Sequence, residues 1–585
     1  MKALLMKFLH MNGVDANFEL YFLKDSENWK VTHFSEFRFC QNVVKWFGGV
    51  GEKRVKIGIP SPRSNNKKIT CFHRGGSSEN RDLLAWFLNS ASGFYLQLFN
   101  QICSAYNLDL PFRRKDSIYG AFDLGSHHHE KVKASSRKNA LYLCQYCLVH
   151  LGDLARYRHQ AKQAETFYRH AVVVSPSSGH PYNQLALLEA GRGNRLAAVA
   201  LYVRAMCVPC PFPGAPANLT QTLTKVLANS TQDISGTSRV TGDEYTSIFL
   251  QFHARLYLHH DVESARASLP ILQSALSTLV ATNAFTRTSL QQMVIVNLFS
   301  MFCFSGRLKC KGGEDMKNYE EITDKPPEAK ENLECVHLVE ELSVGVLAAL
   351  LLPVHTIKDP EQLITYPAIP AVRLLFEWVR CEPELFHSEA MRSKQQIWPG
   401  LCKIVNDLQP QLADFIASKY SELPLPEDWE LQGFEPLEKM LSTYKYREGL
   451  SKASPDEYNL IRASRLQDLA KWFVEQNVDG NAVIKVSVSG EAGVGGDQQQ
   501  RMFEPMQHLS PPPEEVRALE QLSLQPIPLK NEDNGSSGRK GKIGILKPQG
   551  SLERSRENRE QEQKHDQPQG DHQNTPTVSI EVREK

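Results

Sequence analysis

The sequence predicts an all-α protein of stacked helices. Three observations carry that prediction: a 34-residue repeat, helix-period apolar stretches that continue to about residue 480, and no run of evenly spaced strand segments between them. Length suggests more than one unit, since 585 residues divided by ~150 per domain gives about four. We expect four segments: 1–80 unassigned, 81–230 holding the repeats, 244–480 continuing as helical hairpins, and 481–585 as a disordered low-complexity tail.

Residues 1–80 mix short apolar runs with "WFGGVGEKRVKIGIPSPRSNNKK", rich in Gly, Pro and basic residues. The glycines at 48, 49 and 51 lack the G-K-[S/T] ending of a phosphate loop and read as turns. The basic run at 45–68 reads as a solvated loop, with RNA contact left open. A long helix then begins near Asp82, where Leu84, Phe87, Leu88, Ala91, Tyr95, Leu98, Phe99, Ile102 and Tyr106 recur at spacings of three and four. Gly93 interrupts it at a cost of about 1 kcal/mol relative to alanine, so we expect another backbone to approach closely there. "NLDLPF" ends the helix, and the polar loop that follows carries His127, His128 and His129 with no partner cluster in sequence.

The repeat comes next. With Gly152 at position 8 of a tetratricopeptide unit, Leu148 and Leu151 fall at positions 4 and 7, and Ala164, Tyr168, Ala171 and Pro176 at 20, 24, 27 and 32. A shift of 34 gives Tyr182, Leu185, Ala186, Ala198, Tyr202 and Ala205. Small residues at 8, 20 and 27 let paired helices touch, and large ones at 4, 7 and 24 fill the gaps between them. From 244 to 480 the periodicity stays helical, as in "SLQQMVIVNLFSMF", "IPAVRLLFEWVRC" and "SRLQDLAKWFVEQ". After about 480 the composition turns to Gly, Pro and Gln, which cannot bury enough apolar area to offset ordering entropy.

Bulk properties narrow the function. A formal net charge of +1 excludes a globally basic nucleic-acid binder, so charged recognition must be local. Twelve cysteines are too sparse for a disulfide scaffold. The pairs Cys144/Cys147 and Cys207/Cys210 sit too far apart for a zinc ribbon and read as core or helix-end residues. The longest apolar run, "VGVLAALLLPV" at 344–354, falls short of a bilayer span, and "MKALLMKFLHMNG" lacks a clear small-residue cleavage site. We therefore expect a soluble intracellular protein. G-x-S-x-G, phosphate-loop and H-E-x-x-H motifs are absent, so we expect a binding protein with no catalytic residues, no cofactor and no metal.

Arg156 and Tyr157, in "LGDLARYRHQ", are the candidate binding residues. Leu148, Leu151 and Ala155 point into the packed seam, and Arg156 lies about 100° further round the helix, able to reach the concave face. A guanidinium meets a phosphate bidentately and a neighbouring phenol adds a donor. The competing reading is an ordinary solvated surface arginine.

"GDLARY" resembles the G-D-x-x-R-Y element of 14-3-3 proteins. The run "CLVHLGDLARYRHQAKQAETFYRHAVVVSPSSGHPYNQLALL", with "ASGFYLQLFNQICSAYNLDLPFR", "IWPGLCKIVNDL" and "PLPEDWELQGF", is similar to the SMG family of nonsense-mediated mRNA decay adaptors. The resemblance covers roughly 83–476. It implies a 14-3-3-like domain built on tetratricopeptide repeats, then an α-helical hairpin domain. It implies that Arg156 and Tyr157 grip phosphoserine, that Asn183 holds the ligand backbone, and that Gly93 lies on a partner interface. The implied partners are the phosphorylated up-frameshift RNA helicase, the related adaptor numbered five as a heterodimer, and deadenylase or decapping machinery at the C-terminal region. There is no membrane partner, and the implied place is the cytoplasm with shuttling to the nucleus. The polar ending, in place of a nuclease-like domain, is consistent with no enzymatic activity. In one respect the sequence departs: residues 1–80 do not resemble the early helices that carry the family's second phosphate-binding base, so none is assigned. The alternative is a general tetratricopeptide scaffold of chaperone-cofactor type, gripping peptide C-termini with a Lys and Asn clamp.

Overall fold

The computed structural model describes residues 78–113, 117–119, 137–228, 240–308, 329–446, 453–478, 481–489, 500–506 and 513–523. The expectations for the basic run 45–68, for glycines 48, 49 and 51, for His127, His128 and His129, and for the tail beyond 523 lie outside the described residues. What is described is helical throughout, apart from short strand pairs near the C-terminal end.

Helix α1 spans Ser78–Ala105 and packs on α2, Arg137–Tyr157, which pairs in turn with α3, Ala161–Val174. Then come α4 (Gly179–Gly191), α5 (Arg195–Met206) and α6 (Ala215–Ala228). The repeat positions behave as their sizes require. Ala164, Tyr168 and Ala171, and their counterparts Ala198, Tyr202 and Ala205, are all buried. A β-carbon at Gly152 would lie 2.3 Å from the Tyr168 ring, so only glycine lets α3 approach α2 this closely. Gly179 is tighter still. Its amide donates to the Cys210 carbonyl at 2.8 Å, and an added β-carbon would sit 2.2 Å from the Ala205 carbonyl oxygen.

Gly93, where a close backbone approach is expected, is open. It is exposed on α1, and a β-carbon there would meet nothing within 4 Å. Among the described residues no second backbone approaches it.

Beyond α6 the helices α7 (Gly242–Tyr257), α8 (Val262–Ala281), α9 (Arg287–Phe304), α10 (Ala329–Leu351), α11 (Ile369–Cys381), α12 (Ile397–Leu408) and α13 (Pro455–Val474) pack into one body. Side chains cap four of these starts: Asp261 and Thr286 accept from the Ser264 and Ser289 amides, and Thr241 with Glu244, and Ser454 with Glu457, form reciprocal capping boxes. One continuous apolar core runs from Tyr182 to Phe503, passing straight through the expected boundary at 230–244. Arg204 on α5 reinforces that junction. It is 3% exposed, donates to the Glu430 and Gln432 carbonyls at 3.2 and 3.0 Å, and lies over the Tyr182 and Phe434 rings. The apolar stretch containing 344–354 belongs to a longer segment, 332–356, which is long and apolar enough to cross a membrane; its most apolar 18-residue stretch is 78% buried inside the fold, as a core helix would be.

The segment expected to be disordered from 481 is ordered in part. Strand β1 (Ile484–Ser489) pairs antiparallel with β2 (Gln500–Pro505), and helix α14 spans Pro513–Ser523. The physical reason is local hydrophobic content: Ile484 and Phe503 are 0% and 2% exposed, part of the main core. The Asn406 side chain also pairs with the Phe503 amide and carbonyl at 2.9 and 2.8 Å, closing that strand edge. Averaged composition hides such short alternating stretches.

A buried charged network fastens α11 and α13 to the short helix Pro426–Glu430. Arg373, fully buried, donates to Asp428 and to Glu427 at 3.3 Å; Arg462 grips Glu427 at 2.9 Å through two nitrogens; Arg465 meets Asp428 at 2.8 Å. Burial pushes the Glu427 carboxyl up, but Arg373 and Arg462 override it and hold it at about 2. Removing one cation leaves buried carboxylates uncompensated, so Arg373→Met should cost about 3–5 kcal/mol in urea unfolding. The depressed Glu427 value means its contribution is whole above the ordinary value of 4.5 and fades as pH falls towards 2. Glu427→Gln should flatten that part of the acid limb.

Candidate functional site

Helix α2 ends at Tyr157 for a stated reason. His159 adopts the left-handed conformation with φ of 61°, and the Gln160 amide turns back to the Ala155 carbonyl at 2.9 Å. Arg156 and Tyr157 thereby occupy the last turn, where exposed carbonyls favour a cation.

The guanidinium is not a free surface charge. Arg156 lies 3.3 Å from the Asp153 carboxylate, and its Nε donates to the Tyr168 hydroxyl at 3.4 Å. Tyr168 in turn donates to the same Asp153 oxygen at 2.7 Å. The Tyr157 ring lies 4.8 Å from the guanidinium carbon, close enough for cation–π attraction. The Arg156 side chain is 28% exposed and that of Asp153 only 11%, so the arginine is anchored on one side and open on the other. Burial disfavours the Arg156 charge, but Asp153, Tyr168 and Tyr157 more than reverse that and raise its pKa. Burial and Asp153 push the Tyr168 phenol up, which keeps it a donor.

Two further contacts join this end of α2 to α1. Arg158 donates to the Leu88 carbonyl at 2.5 Å and to the Ser92 hydroxyl at 2.8 Å. His150 stacks on Tyr95 with ring centroids 5.0 Å apart and lies 3.9 Å from the other Asp153 oxygen. Burial lowers the His150 pKa, against the pull of Asp153. Sequence reasoning missed Asp153, Tyr168 and Arg158 as members of the site. Their signals were present, in the Gly-Asp pair before the arginine, in repeat position 24, and in the second arginine of "ARYR".

Asn183 is placed differently from Arg156. It is 2% exposed, and its carboxamide oxygen accepts from Asn218 at 2.9 Å, so it does not line an open groove. Close packing of α4 between α5 and its neighbours accounts for its burial; half-buried Asn218 on α6 is the outward member of the pair. Gly93 lies on α1, apart from Arg156, with Arg158 bridging the two helices. The cysteine pairs are not brought together as one site: Cys144 and Cys147 are buried on α2, with Cys144 3.8 Å from Cys103, while Cys207 is buried and Cys210 exposed at the end of α5. Among the described residues no group of three His, Cys, Asp or Glu side chains is placed to hold a metal.

The fold and the Gly-Asp-x-x-Arg-Tyr element together define a 14-3-3-like protein built on tetratricopeptide helices. Two family models match the chain: "Telomerase activating protein Est1" over residues 28–162 and "Est1 DNA/RNA binding domain" over 164–441. The first begins at residue 28, inside the segment left unassigned above. The nonsense-mediated mRNA decay factor SMG7 of Danio rerio is 33% identical over 401 residues, which is 68% of this chain and 32% of that protein. The corresponding SMG5 of Homo sapiens is 33% identical over 140 residues, 22% of this chain and 13% of that protein. The solved structure described as "Crystal structure of Est1 and Cdc13" aligns with a TM-score of 0.51 at 14% identity, covering 81% of this chain and 91% of that one. The chain belongs to the Est1 and SMG7 family. It spans about a third of the length of the SMG7 relative.

Gly152→Ala should push the Tyr168 ring off α2 and with it the partner that holds Asp153. Overpacking of this kind costs about 1–3 kcal/mol, read as a lower midpoint in thermal unfolding.

Proposed function

We propose that the chain is a non-enzymatic adaptor in nonsense-mediated mRNA decay. It binds the phosphorylated up-frameshift RNA helicase through Arg156 and Tyr157, and recruits mRNA-degrading machinery, deadenylase or decapping, through its C-terminal region. The observation that carries the reading is the half-open Arg156, held by Asp153 and Tyr168 with one side left to solvent. A dianionic phosphate gains charge-assisted hydrogen bonds from a guanidinium whose rotamer is already fixed, so little ordering entropy is lost on binding. The likeness to the SMG7 and SMG5 decay factors supports the pathway.

Gly93 supports the second half of the proposal, pairing with an SMG5-type adaptor. An exposed glycine in mid-helix, with empty space where a β-carbon would stand, lets a partner backbone come close without displacing anything in this chain. The activity resides in the cytoplasm, with shuttling to the nucleus.

Two outcomes test this. Calorimetry with a phosphoserine peptide of the helicase should show binding that Arg156→Glu and loss of the phosphate each reduce more than tenfold; indifference to both would sink the proposal. Gly93→Glu should abolish heterodimer formation in size-exclusion chromatography while leaving the unfolding midpoint within a few degrees, because its site is open to solvent.

A further inference from the structure

The repeats also hold a cleft between α4, α5 and α6. It has a volume of about 320 Å³ and is lined by Ala190, Gly193, Arg195, Ala198, Thr222, Lys225 and Ala228, from α4, α5, α6 and the turn between α4 and α5. Both of its cations, Arg195 and Lys225, are exposed, and among the described residues neither forms an ion pair or a side-chain hydrogen bond. They differ in this from nearby Arg192, which is held by Glu165 and Glu189 at 2.6 and 2.5 Å. Among the described residues no carboxylate lines the cleft.

Its position follows from the repeat. Arg156 stands at position 12 and Tyr157 at 13 when Gly152 is 8; adding 34 gives Ala190, and adding 34 twice from Tyr157 gives Lys225. Two of the cleft's lining residues thus stand at the repeat positions of Arg156 and Tyr157, on the two successive first helices of the array, α4 and α6, while Arg195 begins α5. Equivalent positions of stacked repeats lie along one edge of the superhelix. Neighbouring helices stand roughly 10 Å apart and an extended chain advances about 3.3–3.6 Å per residue. A peptide seated at Arg156 and running along this edge reaches the cleft in about three to six residues.

We infer that the cleft between α4, α5 and α6 is a second anion subsite of the same peptide groove. It takes an acidic or phosphorylated side chain about three to six residues from the phosphoserine, with Arg195 and Lys225 as its specificity-determining residues. This deepens the proposed function and rests on it. The ligand class is thus an extended, multiply acidic peptide rather than an isolated phosphoserine.

The full chain is titrated with four peptides: unmodified, phosphoserine alone, phosphoserine with a second phosphoserine four residues away, and phosphoserine with the second only one residue away. A single-stranded oligonucleotide is the fifth probe. The four-residue spacing should bind about tenfold tighter than the single phosphate, and the one-residue spacing should gain less than threefold. In Arg195→Ala/Lys225→Ala the tenfold gain should fall below twofold, with affinity for the single phosphate unchanged. Equal affinity at both spacings overturns the subsite, as does a double variant that weakens all phosphopeptides alike. An oligonucleotide whose binding needs Arg195 and Lys225, with no effect of the pair on peptides, also overturns it. Failure of the underlying reading looks different: no phosphopeptide binds, Arg156→Glu changes nothing, and the subsite falls with it.

Discussion

The contact between Gly152 and the Tyr168 ring is the constraint on which the candidate site depends. A glycine there removes the β-carbon that would otherwise stand 2.3 Å from the ring, and α3 closes onto α2. Only at that separation does the Tyr168 hydroxyl reach Asp153 at 2.7 Å. Asp153, now ordered and mostly shielded from water, holds Arg156 in one rotamer beside Tyr157. The sequence "GDLARY" is thus a mechanical order of parts: space for a ring, a carboxylate fixed by that ring, a guanidinium fixed by the carboxylate, and an aromatic face beside it. A preorganised cation of this kind pays its side-chain entropy during folding rather than on binding.

A second polar framework sets the relation between the repeats and the later helices. Arg204 reaches from α5 to carbonyls more than two hundred residues away in sequence, and the Arg373, Glu427, Asp428, Arg462 network fastens the segment that supplies them. Buried ion networks of this sort are weak evidence of net stability, because desolvation offsets most of their attraction. Their geometric demand is strict, however: each carboxylate accepts from fixed nitrogens on different helices. That makes them well suited to defining one arrangement of packed helices over its alternatives.

Legibility in the sequence followed interaction range. Positions 8, 20, 24 and 27 of the repeat were readable because helix pairing imposes size at fixed spacing, and the structure buries Ala164, Tyr168, Ala171, Ala198, Tyr202 and Ala205 accordingly. Gly93 is legible as a helix glycine, but its neighbour is not. A mid-helix glycine signals a close approach, yet among the described residues nothing makes one. The burial of Asn183 was not legible, because it depends on Asn218, 35 residues on, and no local pattern reports that pairing. The β1–β2 hairpin was hidden by averaging composition over a polar tail, when two buried side chains and one asparagine suffice to dock it.

By itself the sequence determined the helices, their repeat period and the placing of Arg156 on a last helical turn, because these are set by interactions spanning a few residues. Tertiary structure alone decided where that guanidinium aims. Its aim depends on Tyr168, 15 residues from Asp153, and on Arg158 meeting Leu88 across 70 residues. Whether such distant groups meet is fixed by how closely the helices approach, and that distance is a property of the packed body rather than of any stretch of chain.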